Sequence, residues 1–530
     1  MEPIRRPINV YDQITRIPII MKRRDFIKSS LALYALGSYL PTALLGSKNR
    51  FSYRNSNIDS DKIVILIKMN GGNDGLNTLI PFQNSSYYQE RPAVAIPIEQ
   101  SLPITDTLAL HPALENWQRF FEQQRLAIIQ GVGYDNGNLS HFRSSDIWDT
   151  GSNEDIELST GWLGRLLELE FPGFPDNAPE HPLAIQYNSA NLLEFKTETS
   201  NTGLYLYDPN TMYSIISGNY IDNLNSNIPE TYGGDELAFI RELDHMSFNY
   251  SQIISEAAQN APNTIMNYPN TNIGQQFKIT AQLIAGGLST PFYRLYQNGY
   301  DTHVEQLYSH ELLLSDLSDA INVFFNEMDA LELLDRIIII TTSEFGRRVY
   351  ENASEGTDHG TSAPVFVFGS GLNGGVFGDD PDLTSLDNNG NLHVQFDYRQ
   401  IYTTVMKNWL GLNANAIDQV FSDNFQTIPF LDETLYSQPK TGPNGFRLNG
   451  IYPNPFNSSS MISYTLPKNQ RVIIRLFDMT GRVLKVTRLG KQKAGSHLFK
   501  LDGKGLSSGN YIAQVEIEGS SLTQKISLIK

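Results

Sequence analysis

The sequence predicts an α/β protein: a three-layer α/β/α body built on a mainly parallel sheet, followed by a small all-β sandwich. Three observations carry that prediction. Ile337 to Ile340 form a β-branched run bounded by polar residues, the pattern of a strand buried on both faces of a parallel sheet. Lys62 to Lys68 and Leu126 to Gln130 read the same way, and each runs into a Gly-rich loop. From Tyr452 to Lys530, by contrast, short alternating strands are separated by turn residues, the pattern of a sandwich with one face of each strand buried.

Composition narrows the functional classes. The 530 residues are 40% hydrophobic, enough for a sizeable core, and carry a formal charge of −17. From Leu448 onward 12 Lys and Arg stand against 4 Asp and Glu, which leaves −25 for the rest. An acidic body argues against a nucleic-acid partner, because phosphate binding needs clustered Lys and Arg, and it suits cations. The chain has no cysteine, so disulfides, thiolate metal sites and a Cys nucleophile are excluded, and any metal must sit on oxygen and imidazole ligands.

Taken in order, the first strand leads to MNGGNDGLNTLIP at 69–81. Gly71, Gly72 and Gly75 around Asn73 and Asp74 read as an anion-binding nest, as a way to bring Asp74 to a metal, or as a plain turn. The spacing matches neither a dinucleotide fingerprint nor a P-loop. The second strand leads to NLSHFRSSDIWDTG at 138–151, where Ser140 reads as a helix cap or as a nucleophile beside His141, with Ser144 and Ser145 as competitors. The segment 283–303 passes from a helix into a strand, and Asp301 and His303 follow its end. Two residues apart in an extended segment, these share a face and can approach one cation, or the Asp-Thr-His forms a hydrogen-bonded turn. After the Ile337 run come Glu344, then Arg347 and Arg348, whose guanidinium forks match anionic ester oxygens. Asp358 and His359 follow in a Gly-flanked loop, before a second apolar run from Pro364 to Phe368 that reads as a strand. Ligands of open α/β sheets bind beyond such strand ends. The other histidines, His111, His181, His245, His310, His393 and His497, lack partners at ligand spacing and read as structural or surface residues.

The termini address localisation. Lys22-Arg-Arg-Asp-Phe-Ile-Lys28 before the modestly apolar stretch Leu31 to Leu45 resembles a twin-arginine export signal, with Met21 as an alternative start. That stretch is too short and interrupted for a stable transmembrane anchor. At the other end Tyr452-Pro-Asn-Pro-Phe, the Asp478-Met-Thr-Gly turn, Ser508-Gly-Asn-Tyr and the closing Lys525-Ile-Ser-Leu-Ile-Lys resemble the type A sorting domain of type IX secretion, an immunoglobulin-like sandwich. The resemblance implies the type IX machinery as a partner and an exported protein, at the cell surface or extracellular, reached via the periplasm. The expected division is a leader and export signal over 1–46, a body over 60–435, a linker over 436–447 and the sorting sandwich over 448–530.

Within the body, GGNDGLNT at 71–78, SHFRSSDIW at 140–148, YDTH at 300–303, SEFGR at 343–347, GTDHG at 356–360 and FDYRQIYTTVMKNWLG at 396–411 resemble the domain of unknown function 1501 family, which belongs with the alkaline-phosphatase and sulfatase superfamily. That resemblance implies an alkaline-phosphatase-like fold and a metal-dependent hydrolase for a phosphate or sulfate ester, with zinc, manganese or calcium as the cofactor. It implies Ser140 as nucleophile and Asp74, Asp301, His303, Glu344, Asp358 and His359 around the metal, whereas Arg347 or Arg348 reads from its guanidinium shape alone, either as the group on the substrate anion or as a solvated surface residue. Departures are Asn70 at the simplest alignment of the first ligand, the short spacing of Asp301 and His303, and Phe345 where relatives have an imidazole. A formylglycine sulfatase is not expected, since no Cys is present and Ser289-Thr-Pro-Phe-Tyr-Arg has its Arg one place too late. The alternative is a non-catalytic surface protein that binds a structural cation or a glycan.

Overall fold

The computed structural model describes residues 56, 58 and 61–528, apart from 176–177, 188–191, 199, 210–211, 213–247, 262–265, 422, 433–439, 442–445, 453–458, 480 and 494. The export-signal reading and most of the expected linker lie outside the described residues. The chain divides into two compact units, Met1–Glu433 and Thr434–Lys530.

The first unit is built on a mainly parallel sheet. Its strands are β1 (Ile63–Asn70), β2 (Leu126–Gly133), β3 (Ala184–Gln186), β4 (Gly203–Tyr205), β5 (Phe292–Asn298) and β6 (Ile337–Thr342). After an antiparallel hairpin of β7 (Gly346–Glu351) and β8 (Thr357–Gly360) come β9 (Ala363–Gly369), β10 (Gly375–Phe377) and β11 (Phe396–Asp397). The sheet order is β10-β2-β9-β6-β1-β5-β3-β4, with β11 also on β2. Only β9 runs antiparallel to its neighbours. The Pro364–Phe368 run is thus a buried strand as read, while Asp358 and His359 lie in β8 and not in a loop, because Gly346 and Gly360 face each other and let the hairpin strands meet.

Two-sided burial follows from alternation along β1. Ile63, Ile65, Ile67 and Met69 join a core with Trp117, Phe120, Phe277, Phe324 and Phe325. Those side chains come from helices α2 (Glu115–Glu122), α5 (Asn272–Ala285) and α6 (Gln306–Ala330), numbered after α1 (Gly75–Thr78), α3 (His141–Thr150) and α4 (Trp162–Glu170). Val64 and Leu66 face the opposite core, with Ile147 of α3, Trp162 and Leu166 of α4 and Tyr402 of α7 (Tyr398–Thr404). Helices therefore cover both faces, which is why the strands are apolar at nearly every position.

The second unit holds two four-stranded antiparallel sheets. Ile462, Tyr464, Leu466, Val472, Ile474 and Leu476 point into its core, as their two-residue period requires. At the Asp478 turn the Gly481 N–H donates to the Asp478 carbonyl at 3.0 Å, and Gly481 has φ of 86°, a conformation that favours glycine.

Candidate functional site

β1, β5 and β6 run side by side, with Asn70 opposite Asn298 and Lys68 opposite Thr342. Their C-terminal ends therefore deliver Gly71, Asp301 and Glu344 to one edge of the sheet. Gly71 has φ of 125°, and a Cβ there would lie 2.3 Å from the Asp301 nitrogen. Only glycine lets the two loops approach that closely.

Three imidazoles meet at Asp301. His141, the first residue of α3, has Nδ1 2.9 Å from Glu344 Oε1. His303 Nδ1 is 3.1 Å from Asp358 Oδ1, and His359 Nδ1 is 2.8 Å from the Leu139 carbonyl. Each of these partners is an acceptor for Nδ1, and the Asp301 carboxylate is a further acceptor facing each Nε2. The three Nε2 atoms converge on the Asp301 carboxylate: His303 at 3.0 Å and His359 at 3.2 Å from Oδ1, His141 at 3.5 Å from Oδ2. Nε2 of His303 and Nε2 of His359 are 2.9 Å apart. Two lone pairs at that separation repel unless a cation or a proton lies between them.

Burial, which alone would raise the Asp301 pKa, is outweighed by hydrogen bonds from Arg347 and His359 and by the charges of Arg347 and His303, and the carboxyl is held at about 2. The His359 pKa is lowered, chiefly by burial, with Arg347 and His141 adding to it against the Leu139 and Asp301 hydrogen bonds. A neutral imidazole beside an ionised carboxylate is a ligand pair for a divalent cation. His141, Asp301 and His359 each offer one ligand atom, all within 4.8 Å of one another. Glu344, 1% exposed, accepts from the Gly71 N–H at 2.8 Å through Oε1, while its Oε2 is buried without a hydrogen-bond partner. An orphaned carboxylate oxygen next to this cluster fits a cation, since burying it unpaired is costly. Phe345 packs tilted against His359 and His141 at centroid separations of 4.3 and 4.9 Å. Its ring supports the imidazoles.

Several expected roles change. Asp74 does not reach the cluster. Fully buried, it pairs with Arg91 at 2.7 Å and caps α1 through the Leu76 and Asn77 N–H groups, so its charge is already neutralised. The glycine nest likewise serves the chain's own groups, with Gly71 N–H on Glu344 and Asn73 N–H on Ser343 Oγ at 2.9 Å. Arg347 is buried, and its donors go to the carbonyls of Gly71, Gly72, Tyr300 and Thr357, to Asp301 Oδ1 at 2.8 Å and to His303 Nε2 at 3.5 Å. No N–H remains for an ester oxygen. Asp358, 53% exposed, orients His303 from behind. Its pKa is lowered, chiefly by the Asn352 hydrogen bond, with the His303 hydrogen bond and the charges of His303 and Arg348 adding to it against burial.

Ser140 is the exposed N-cap residue of α3, and its hydroxyl makes no capping hydrogen bond. Its competitors are engaged: Ser144 with Tyr134 and the Asn138 carbonyl, Ser145 with Lys68 Nζ at 2.7 Å. Sequence reasoning missed His141 as part of the cluster. Its signal was present in Ser140-His141 at a helix start, where the first-turn side chain overhangs the sheet edge. Among the other histidines, His111 and His310 are buried and shifted down to about 3 and about 4, chiefly by burial. His310 Nε2 is 2.9 Å from Asn73 Oδ1, a structural contact.

Comparison with known proteins follows the two units. Residues 227–421 match the family "Protein of unknown function (DUF1501)", and residues 450–530 match "Secretion system C-terminal sorting domain". The first match holds Asp301, His303, Glu344, Asp358 and His359, while the motifs at 71–78 and 140–148 lie outside it. The sorting domain marks a secreted or cell-surface protein. No helix among the described residues is long and apolar enough to cross a membrane. No curated protein matches the chain. Among solved structures, PorZ of the type IX secretion system of Porphyromonas gingivalis is 22% identical over 15% of this chain and 11% of its own, with a TM-score of 0.12. An alkaline phosphatase superfamily protein from Vibrio parahaemolyticus is 11% identical, covering 88% and 86%, at a TM-score of 0.30. A sulfatase from Pseudoalteromonas sp. is 10% identical, covering 83% and 84%, at a TM-score of 0.32.

Proposed function

We propose that this is an exported, metal-dependent hydrolase-like protein whose cluster at the ends of β1, β5 and β6 holds a divalent cation and acts on a phosphate or sulfate ester. The observation that carries the reading is the convergence of three imidazole Nε2 atoms on the Asp301 carboxylate. His141, Asp301, His303 and His359 would hold the ion, with Glu344 Oε2 as a further oxygen. Mixed imidazole and carboxylate donors suit zinc or manganese better than calcium, which prefers oxygen ligands. When bound, the cation supplies Lewis acidity toward an ester oxygen and favours the ionised form of a nearby hydroxyl.

The chain's own residues do the rest. Ser140 presents an unbonded hydroxyl at a helix N-terminus, where N–H groups favour negative charge. Leu139, Asp358 and Glu344 orient the imidazoles through their Nδ1 atoms, and Arg347 fixes the three loops that carry the ligands. Arg348, whose hydrogen bonds use Nε and Nη1, takes over from Arg347 as the guanidinium for a substrate anion. The C-terminal unit delivers the protein through the type IX machinery, after export by a twin-arginine route to the periplasm. Replacing Arg23 and Arg24 by Lys is expected to block that export in a cell-fractionation assay.

A second reading, a non-catalytic surface protein with a structural cation, is favoured by the saturation of Arg347, which leaves the anion site with one less guanidinium. The discriminating experiment is Ser140→Ala on metal-loaded protein assayed with aryl phosphate and sulfate esters. Hydrolysis lost with metal retained supports the hydrolase. Equal turnover in both proteins removes Ser140 from the chemistry, and no turnover in either supports the second reading.

A further inference from the structure

Arg294, fully buried in β5, touches the elements that present the ligands of the cluster. β5 runs on to Asp301, β6 to Glu344, and α3 begins at His141. Arg294 Nη1 donates to Thr342 Oγ1 of β6 at 3.3 Å, and Nη2 is 3.8 Å from Asp149 Oδ1 in the last turn of α3. Nε is 3.0 Å from Glu194 Oε2 of the short turn Leu193–Phe195. The other Glu194 oxygen accepts from Trp162 Nε1 of α4 at 3.0 Å. From β1, Lys68 Nζ holds the middle of α3 through Ser145.

One guanidinium thus faces two buried carboxylates. Among the described residues Lys68 forms no ion pair with either, and a single cation in a dry interior does not neutralise two anions. The hydrogen bonding is also incomplete. Asp149 Oδ1, Glu194 Oε2 and Arg294 Nε are buried without a hydrogen-bond partner, as is the Tyr402 hydroxyl of α7. Buried carboxylate oxygens in that state call for a proton. Glu194 is faced by Arg294 and Tyr296 of β5, Lys68 of β1, Asp149 of α3 and Tyr402 of α7. Burial, with the charge of Asp149 beside it, pushes the Glu194 carboxyl up to about 7 against Arg294, the Trp162 hydrogen bond and Lys68.

We propose that Glu194, Arg294 and Asp149 form a positioning group that seats α3 on the sheet and so places His141 over the cluster, with a proton held on Glu194 in the seated form. The inference rests on the reading of the cluster as a cation site. Loss of the proton to solvent leaves two anions competing for one guanidinium. Asp149 stands eight residues along α3 from His141, about 12 Å of helix, so a tilt at one end moves the ligand at the other.

The test compares full-length wild type with Glu194→Gln, whose amide keeps the shape of the protonated acid and does not titrate. A folded pKa raised above the ordinary Glu range means that the proton stabilises fully below about pH 4, and that this contribution is lost as pH rises through about 7. The melting temperature of metal-free wild type, relative to the variant, is therefore expected to fall between about pH 5 and about pH 8. Zinc affinity is read by competition with a chromophoric chelator. The ratio of wild type to variant is expected to fall about fivefold between about pH 6 and about pH 8, since both proteins carry the same imidazoles. Asp149→Asn, which removes the competing carboxylate instead, is expected to lose the same pH dependence. A melting-temperature gap that stays constant overturns the bound proton. Zinc affinities that move in parallel overturn the positioning of His141 and leave the cation reading in place. Wild-type protein that takes up no zinc overturns that reading and this inference with it.

Discussion

Arg347 shows how a residue can be legible as important and misread in role. Its position after Glu344 and the shape of its guanidinium predicted an anion site, yet its N–H groups staple Gly71, Gly72, Tyr300 and Thr357 to Asp301. Nothing in the sequence shows which carbonyls will surround a buried Arg, because those of Gly71, Gly72 and Tyr300 come from other loops more than 40 residues away. Arg347→Met is expected to destabilise the protein by about 3–5 kcal/mol in urea unfolding, since several buried carbonyls lose their donor. Asp74 teaches the same lesson, its partner Arg91 being invisible to motif spacing. Burial would raise its pKa, but the charge and hydrogen bond of Arg91, with help from His310 and Gln306, lower it on balance. A depressed folded pKa means the pair stabilises fully above the ordinary Asp range and less as pH falls through it. Asp74→Asn should therefore cost about 3–5 kcal/mol at pH 7, and the gap in melting temperature from wild type should shrink below about pH 4. A gap independent of pH would contradict the ion pair.

At the scale of elements, most of the sheet was readable. The runs at 62–68, 126–130, 337–340 and 364–368 are strands β1, β2, β6 and β9 within a few residues, because two-sided burial makes them apolar throughout. The Gly-flanked loop at 356–360 was not. Thr357 to Gly360 gains its strand character from pairing with β7, a contact that no local periodicity encodes. The close approach of the Gly71 loop to Asp301 was half legible, as a tight backbone without its partner. Gly71→Ala should displace Asp301 by adding a Cβ 2.3 Å from its nitrogen. The expected outcome is a folded protein, by far-UV circular dichroism, with at least tenfold weaker cation affinity.

At the scale of the whole molecule, the basic stretch counted from Leu448 lies within the second compact unit, Thr434–Lys530. The sorting motifs were legible because several short motifs stand in a fixed order, and at the Asp478 turn Gly481 has φ of 86°, which few other residues accept. Deleting residues 450–530 should leave the protein inside the envelope, with the unfolding transition of the first unit in place. The cluster was legible in four of its residues, Asp301, His303, Glu344 and His359. His141 was not, since helix register alone decides that it reaches over the sheet edge. The central claim is that these residues hold a divalent cation. Elemental analysis of the purified full-length protein, wild type against the triple variant His141→Ala, Asp301→Ala and His359→Ala, tests it directly. The account predicts about one zinc or manganese per wild-type chain and none in the variant. Wild-type protein free of metal after incubation with zinc, manganese and calcium, or a variant that retains the metal, would contradict it.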